Sequence, residues 1–273
     1  MNDNGSATLP GYFTCLRGVL WRESLRFFQQ RERFAAALVR PLVWLLIFGA
    51  GFRSVLGVSI IPPYDTYITY ETYIVPGLAA MVQLFNGMQS SLSMVYDREM
   101  GSMRLLLTSP FPRWYLLFSK LCAGTFVSLL QVYAFLVIAD LVLVDLPLMG
   151  YLAAAPVLIA TGLMLGALGM LLSSSIRQLE NFAGIMNFVI FPMFFLSSAL
   201  YPLWKMQESS DFIYTICVLN PFTYVVESIR FALYSQTNTL AYSVVLAALV
   251  VFFALAVLGY DPKMGMIRRR VAG

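Results

Sequence analysis

Histidine is absent from all 273 residues, which removes the commonest general base and metal ligand at once. Charge is scarce as well. Lysine, arginine, aspartate and glutamate make up 12% of the chain, against roughly 25% in a soluble domain. With 59% apolar residues and a mean hydropathy of +0.76, too little polar surface remains to cover a water-soluble body. The three cysteines, Cys15, Cys122 and Cys217, have no ligand spacing and read as small apolar residues, not as a disulfide framework or zinc site. No HExxH, GxSxG or GxxxxGK[ST] pattern occurs, so nothing marks the chain as a nucleotide-binding or hydrolytic enzyme. The first 35 residues hold five arginines and no long apolar core, unlike a cleavable signal peptide.

What is present is a series of long apolar runs. A helix needs about 20 apolar residues to cross roughly 30 Å of hydrocarbon. Six segments qualify, at 38–56, 74–96, 114–144, 151–174, 181–200 and 240–260. The expected fold is therefore an all-α integral membrane bundle of six helices. With both termini inside, fifteen lysines and arginines lie on the cytoplasmic side, Arg40 and Lys120 among them, and only Arg53, Lys205 and Arg230 lie outside. That asymmetry sets the orientation. The net charge of +4 suits an anionic leaflet, not nucleic acid. No lysine, arginine or carboxylate is placed deep in mid-span, which argues against a proton or sodium relay.

The connecting segments differ in kind. Residues 12–33 form a basic amphipathic stretch, with Arg22, Arg26 and Arg33 on one face and Phe13, Leu16, Leu20 and Phe27 largely on another. Such a helix lies in the headgroup plane or serves as a plain anchor. Residues 57–73, with Pro62, Pro63 and four tyrosines, suit an interfacial loop. Within 201–239, Asn220-Pro221 divides two short apolar stretches that read as helices dipping into the outer interface. Glu227 and Arg230 pair there across one turn, as a solvated rim contact. The inner loop, 97–113, carries a short apolar helix that ends at Pro110. It is either a docking surface for another protein or packs under the bundle.

Polar groups inside the spans include Gln83, Asn86, Gln131 and Asn187. Such groups mostly bridge helices, and some face a pathway. Gln83, Asn86, Asn187 and Phe191 are the candidate pathway residues. Gly162, Gly166 and Gly169 give the fourth span a face for close approach, and Pro192 is expected to kink the fifth.

The run DREMGSMRLLLTSPFPRWYLLFSK in the inner loop resembles the signature of the ABC-2 family of ATP-binding-cassette transporter permeases. So do IVPGLAAM in the second span, NFVIFPMFFLSSALYPL in the fifth and NPFTYVVESIRFAL beyond it. The likeness spans about residues 12–260 and is nearest to bacterial drug-resistance and nodulation-factor exporter permeases. It implies an export permease in the bacterial inner membrane, for an amphipathic drug-like, lipid-like or glycan substrate. Residues 1–37 would carry the interfacial connecting helix, 38–260 the six-helix domain with outer re-entrant helices at 201–239, and 261–273 a basic cytoplasmic tail. Glu99, Gly101, Leu105, Leu106, Leu107 and Pro110 match the coupling helix that seats in a separate ATPase subunit. ATP and magnesium would sit on that partner, with no cofactor on this chain. A second permease copy, the same or different, would complete the pathway, and membrane lipids would surround it.

Other classes meet specific objections. An ion-coupled carrier calls for a midplane carboxylate or an inverted repeat, and neither is found. A membrane-embedded enzyme lacks a nucleophile, base or metal constellation. A permease-like regulator differs from a transporter only in an assay.

Overall fold

The computed structural model describes residues 9–29, 31–52, 62–64, 68–99, 111–176 and 179–260. Within those helices the side chains of Arg26, Arg33 and Glu99, among others, fall outside the description. The described residues form ten helices: α1 (Leu9–Gln29), α2 (Arg31–Phe52), α3 (Tyr70–Glu99), α4 (Arg113–Val142), α5 (Leu148–Ser175), α6 (Leu179–Phe195), α7 (Leu203–Ser209), α8 (Asp211–Leu219), α9 (Pro221–Leu233) and α10 (Thr239–Gly259). Gly101, Leu105, Leu106, Leu107 and Pro110 lie outside the described residues.

Proline and asparagine set many of the starts. Pro112, Pro147 and Pro202 stand in extended conformation just before α4, α5 and α7, where a missing N–H costs no intrahelical bond. Asn220 and Asn238 cap α9 and α10 by accepting from the Phe222 and Ala241 amides, each at 3.0 Å, which satisfies donors the helix cannot.

The long helices alternate in direction. Gly49 of α2 and Ala199 beyond α6 both meet the start of α3, so α2 and α6 run parallel to each other and antiparallel to α3. Two ends result. At one, Tyr12 of α1 packs on Phe111 and Tyr115 at the start of α4. Phe118 of α4 meets Phe253 of α10 there, and Ser173 of α5 bonds the Tyr260 hydroxyl at 2.6 Å. α1 and the close of α10 thus share one end. The other end holds the starts of α3, α5 and α10 beneath α7–α9.

Among the described residues three helices, α4, α5 and α10, are long and apolar enough to cross a membrane. α2 and α6 carry shorter apolar stretches, Ala37–Gly49 and Met186–Phe195. α3 has the length, but Gln83, Asn86, Gln89 and three serines dilute it. α8 and α9 are apolar enough together, yet bend by 75° at Asn220.

The bundle closes along α3, α4 and α5 because glycine lets backbones touch. A Cβ on Gly87 would stand 2.9 Å from the Leu165 carbonyl carbon, and one on Gly169 would stand 2.5 Å from Ser91 Oγ and 2.7 Å from the Gly87 oxygen. Gly162 and Gly166 admit Thr125 and Leu121 in the same way. The expected small-residue face is the seam itself.

Several expectations need correction. Of the interfacial stretch, Arg22 lies on α1 and Arg33 on α2, and the side chains of Arg26 and Arg33 lie outside the described residues. Phe13 is exposed, while Leu16, Leu20 and Phe27 are half-buried. The fifth segment stops at Phe195 and turns through 196–200. In the tyrosine-rich loop, Tyr64, Tyr70 and Tyr73 are buried, not interfacial. Tyr70 and Tyr73 donate to the Leu200 and Ser198 carbonyls at 3.1 Å, because that turn leaves carbonyls without helical partners. Tyr67 lies outside the described residues.

Candidate functional site

Polar side chains fall into three groups. The first is the seam. Gln83, only 1% exposed, donates to the Leu158 carbonyl at 2.7 Å and accepts from Thr161 at 2.7 Å. One amide thus ties α3 to α5 near the middle of both. The seam leaves a void of about 10 Å³, room for at most one water. Nothing larger passes there.

The second group caps the far end. Arg230, 3% exposed, donates Nη2 to the Ser198 carbonyl at 2.8 Å, pairs through Nη1 with Glu227, and lays its Cζ 4.1 Å over the Tyr73 ring. The expected rim contact is therefore wrong. The reason is tertiary: α9 lies across the start of α3 and the 196–200 turn, which excludes water from the pair. Asn220 reinforces the joint by donating to the Met193 and Leu196 carbonyls at 2.7 and 2.6 Å. Those carbonyls sit at the unpaired end of α6. Tyr64 and Tyr234 stack edge to face at 4.7 Å. Burial pushes the Tyr234 hydroxyl up to about 12.

The third group lines a groove between α2 and α3. Its cavity, about 70 Å³, is walled by Arg40, Pro41, Met81, Phe85, Asn86 and Gln89, with Ala37 and Val82 beside them. Arg40 is exposed, with its Cζ 4.1 Å over the Phe85 ring, a cation–π contact. Asn86 donates to the Val82 carbonyl at 3.0 Å and to Gln131 of α4. Pro41, inside α2, has no N–H to offer the Ala37 carbonyl four residues back.

Depth matters here. Phe85 is the sixteenth of the 30 residues of α3, roughly 22 Å from either end at 1.5 Å per residue. The Arg40 guanidinium is therefore level with the middle of the bundle. Arg40, expected in the cytoplasmic fringe, thus stands level with the middle of α3. The reason is that α2 begins at Arg31, seven residues before the apolar run, so Arg40 lies more than two turns inside. An arginine at that depth against hydrocarbon costs about 3 kcal/mol on insertion scales, which favours a polar surrounding over lipid.

The other candidates are dispersed. Asn187 and Phe191 are exposed on α6. Phe191 stacks on Phe195 at 6.3 Å, which meets Trp44 of α2 at 5.7 Å. Arg22 is exposed and bonds Glu23 at 2.7 Å, a pair worth little in water. Arg40 was missed as a site residue; Arg-Pro inside a helix was its signal. Among the described residues no group of three histidine, cysteine, aspartate or glutamate side chains could hold a metal ion.

A helical bundle with glycine seams, a capped far end and a polar groove at half height is what a transport subunit needs. The pattern of ABC-2 type transporters matches residues 14–234. The chain belongs to that family. It is the permease subunit of an ATP-binding-cassette transporter, a multi-pass membrane protein whose family works with an ATP-binding-cassette ATPase. The permease is 28% identical over 228 residues to a Porphyra purpurea protein named as transport permease ycf38, covering 82% of this chain and 75% of the relative. The counterpart from Cyanophora paradoxa is 27% identical over 226 residues, 78% and 73% of the two chains. An Escherichia coli K12 protein named as multidrug ABC transporter permease YbhR is 30% identical over 146 residues, 52% of this chain and 39% of the relative.

Proposed function

We propose that the permease is the membrane half of an exporter in the bacterial cytoplasmic membrane, with α2, α3, α4, α5, α6 and α10 as its six spans. In this reading both termini are cytoplasmic, α1 lies in the interface with Arg22 and Arg26 toward anionic lipid, and α7–α9 form the outer re-entrant cap. The domain layout is that read from the sequence, 1–37, 38–260 and 261–273. Residues 97–113 seat in a separate ATPase chain, which holds ATP and magnesium while this chain performs no catalysis. Two permease copies pair, and an amphipathic substrate passes between them along a wall that includes Asn86, Asn187 and Phe191. ATP binding then moves the helices as rigid bodies, and substrate affinity differs between the two states.

The observation that supports this most is where the two ends of residues 100–112 stand. α3 and α4 leave and re-enter the bundle at the end where α1 packs. The charge asymmetry assigns that end to the cytoplasm. Glu99, Gly101, Leu105, Leu106, Leu107 and Pro110 would form the contact with the ATPase. Glu99→Lys and Leu106→Asp should each abolish transport at normal membrane insertion, with the ATPase chain no longer co-purifying in detergent. Unchanged transport by both variants at equal expression would refute the coupling role.

A further inference from the structure

The groove between α2 and α3 holds a cation with no counter-ion among the described residues. Among the described residues no carboxylate pairs with Arg40; its partner is the Phe85 ring. The guanidinium keeps its charge at any relevant pH, so it cannot escape by neutralising. The surface around it is of two kinds. Asn86 and Gln89 offer amides inside the cavity. Outside it, Val43 and Ile47 of α2 lie exposed on the same stripe as Arg40. Phe191 and Phe195 of α6 lie exposed beside Trp44, one turn from Arg40. α2 and α6 run in parallel, and Trp44 is level with Phe195, so one turn back on each puts Arg40 level with Phe191.

A second copy presenting the same face brings apolar residues and Asn187, and no carboxylate among its described residues. No described residue supplies the negative charge, which leaves a ligand as its source. That ligand needs an anionic group small enough for a cavity of about 70 Å³ and an apolar portion to lie along Val43, Ile47, Phe191 and Phe195.

We infer that Arg40, stacked on Phe85 and flanked by Asn86 and Gln89, is the recognition site for the anionic headgroup of an amphiphilic substrate. This rests on the exporter reading and narrows its substrate class to amphiphiles carrying a phosphate, sulfate or carboxylate. Arginine suits the task because its fork donates two parallel hydrogen bonds to such groups.

The experiment is equilibrium binding of dodecyl phosphate to the full-length permease in phosphatidylcholine nanodiscs. Saturable binding is expected, weakened about tenfold or more by Arg40→Gln, as loss of a charge-assisted hydrogen bond implies. Phe85→Leu, which leaves the charge but removes the stack, should weaken it about threefold. Arg40→Lys, the folding control, should bind more tightly than Arg40→Gln. Equal affinity in Arg40→Gln overturns the proposal. So does equal binding of dodecyltrimethylammonium, which would make the groove a site for any alkyl chain. Competition by inorganic phosphate as strong as by dodecyl phosphate overturns the amphiphile assignment. A shift of Arg40→Gln from dimer to monomer with dodecyl phosphate affinity retained would assign Arg40 to subunit pairing instead. Co-purification of the ATPase with Arg40→Gln reports separately on the exporter reading, since Arg40 stands at Phe85, roughly 20 Å along α3 from Glu99 at 1.5 Å per residue.

Discussion

α3 presents polar residues on two opposite faces, and the two faces have different fates. Gln83, Gly87 and Ser91 point into the seam against α5, where glycines let the backbones close and both ends of the Gln83 amide are used. Phe85, Asn86 and Gln89 point to α2, where Arg40 and Pro41 leave a cavity. The residue types are similar, but their neighbours differ. A buried amide with a full set of partners is a fastener, whereas a charge at mid-helix with no ion-pair partner among the described residues asks for something they do not supply. The contrast teaches that polarity within a span does not itself mark a pathway.

Substitutions can break this contrast. The largest effect is expected in the seam, where Gly169→Leu drives a side chain into Ser91 and the Gly87 carbonyl. It should destabilise the permease by at least ~3 kcal/mol, read as lost monodisperse protein in detergent. Arg230→Ala in the cap strands Glu227 in a site with little water and should cost about 3–5 kcal/mol in chemical denaturation. The double variant Arg230→Met with Glu227→Leu should recover most of that loss, since neither charge is then left unpaired. Gln83→Leu removes a fastener worth about 1 kcal/mol, measurable as a small fall in Tm. In the groove, Phe85→Leu should alter stability less than any of these, because its effect falls on Arg40 and on ligand affinity.

The smallest effect concerns pH. Tyr234 is raised to about 12 by burial, above an ordinary tyrosine near 10, so the fold favours its neutral form. Tyr234's contribution to the cap's stability is therefore fully present below about pH 10 and is lost as pH rises through about 12. Absorbance of tyrosinate during an alkaline titration, followed beside unfolding, checks the sign.

Much of the fold was legible before any coordinates. The positions of α4, α5 and α10 follow from apolar runs bounded by Pro112, Pro147 and Asn238, and the glycine face of α5 follows from its spacing. The candidate site was less legible. Gln83 and Asn86 both scored as polar residues in a span, yet one is spent in the seam and the other lines the groove. Arg40 looked cytoplasmic because hydropathy starts a span at the first apolar run, while the helix starts at Arg31. The Glu227–Arg230 pair was found by its spacing, but its burial was not, since a three-residue interval says nothing about what lies above it. The buried tyrosines were misplaced for the same reason: their partners are carbonyls some 125–130 residues away in sequence.

By itself the sequence determined that this chain is a membrane protein built on long apolar runs, and that its family is that of ABC-2 permeases. Composition and short-range period carry those facts, because burying an apolar run in lipid depends on the run alone. Only the tertiary structure decided which polar groups are satisfied and which are left facing a space. Whether a donor has an acceptor depends on helices brought together from distant parts of the chain. That is why Gln83 became a fastener and Arg40 an unanswered charge.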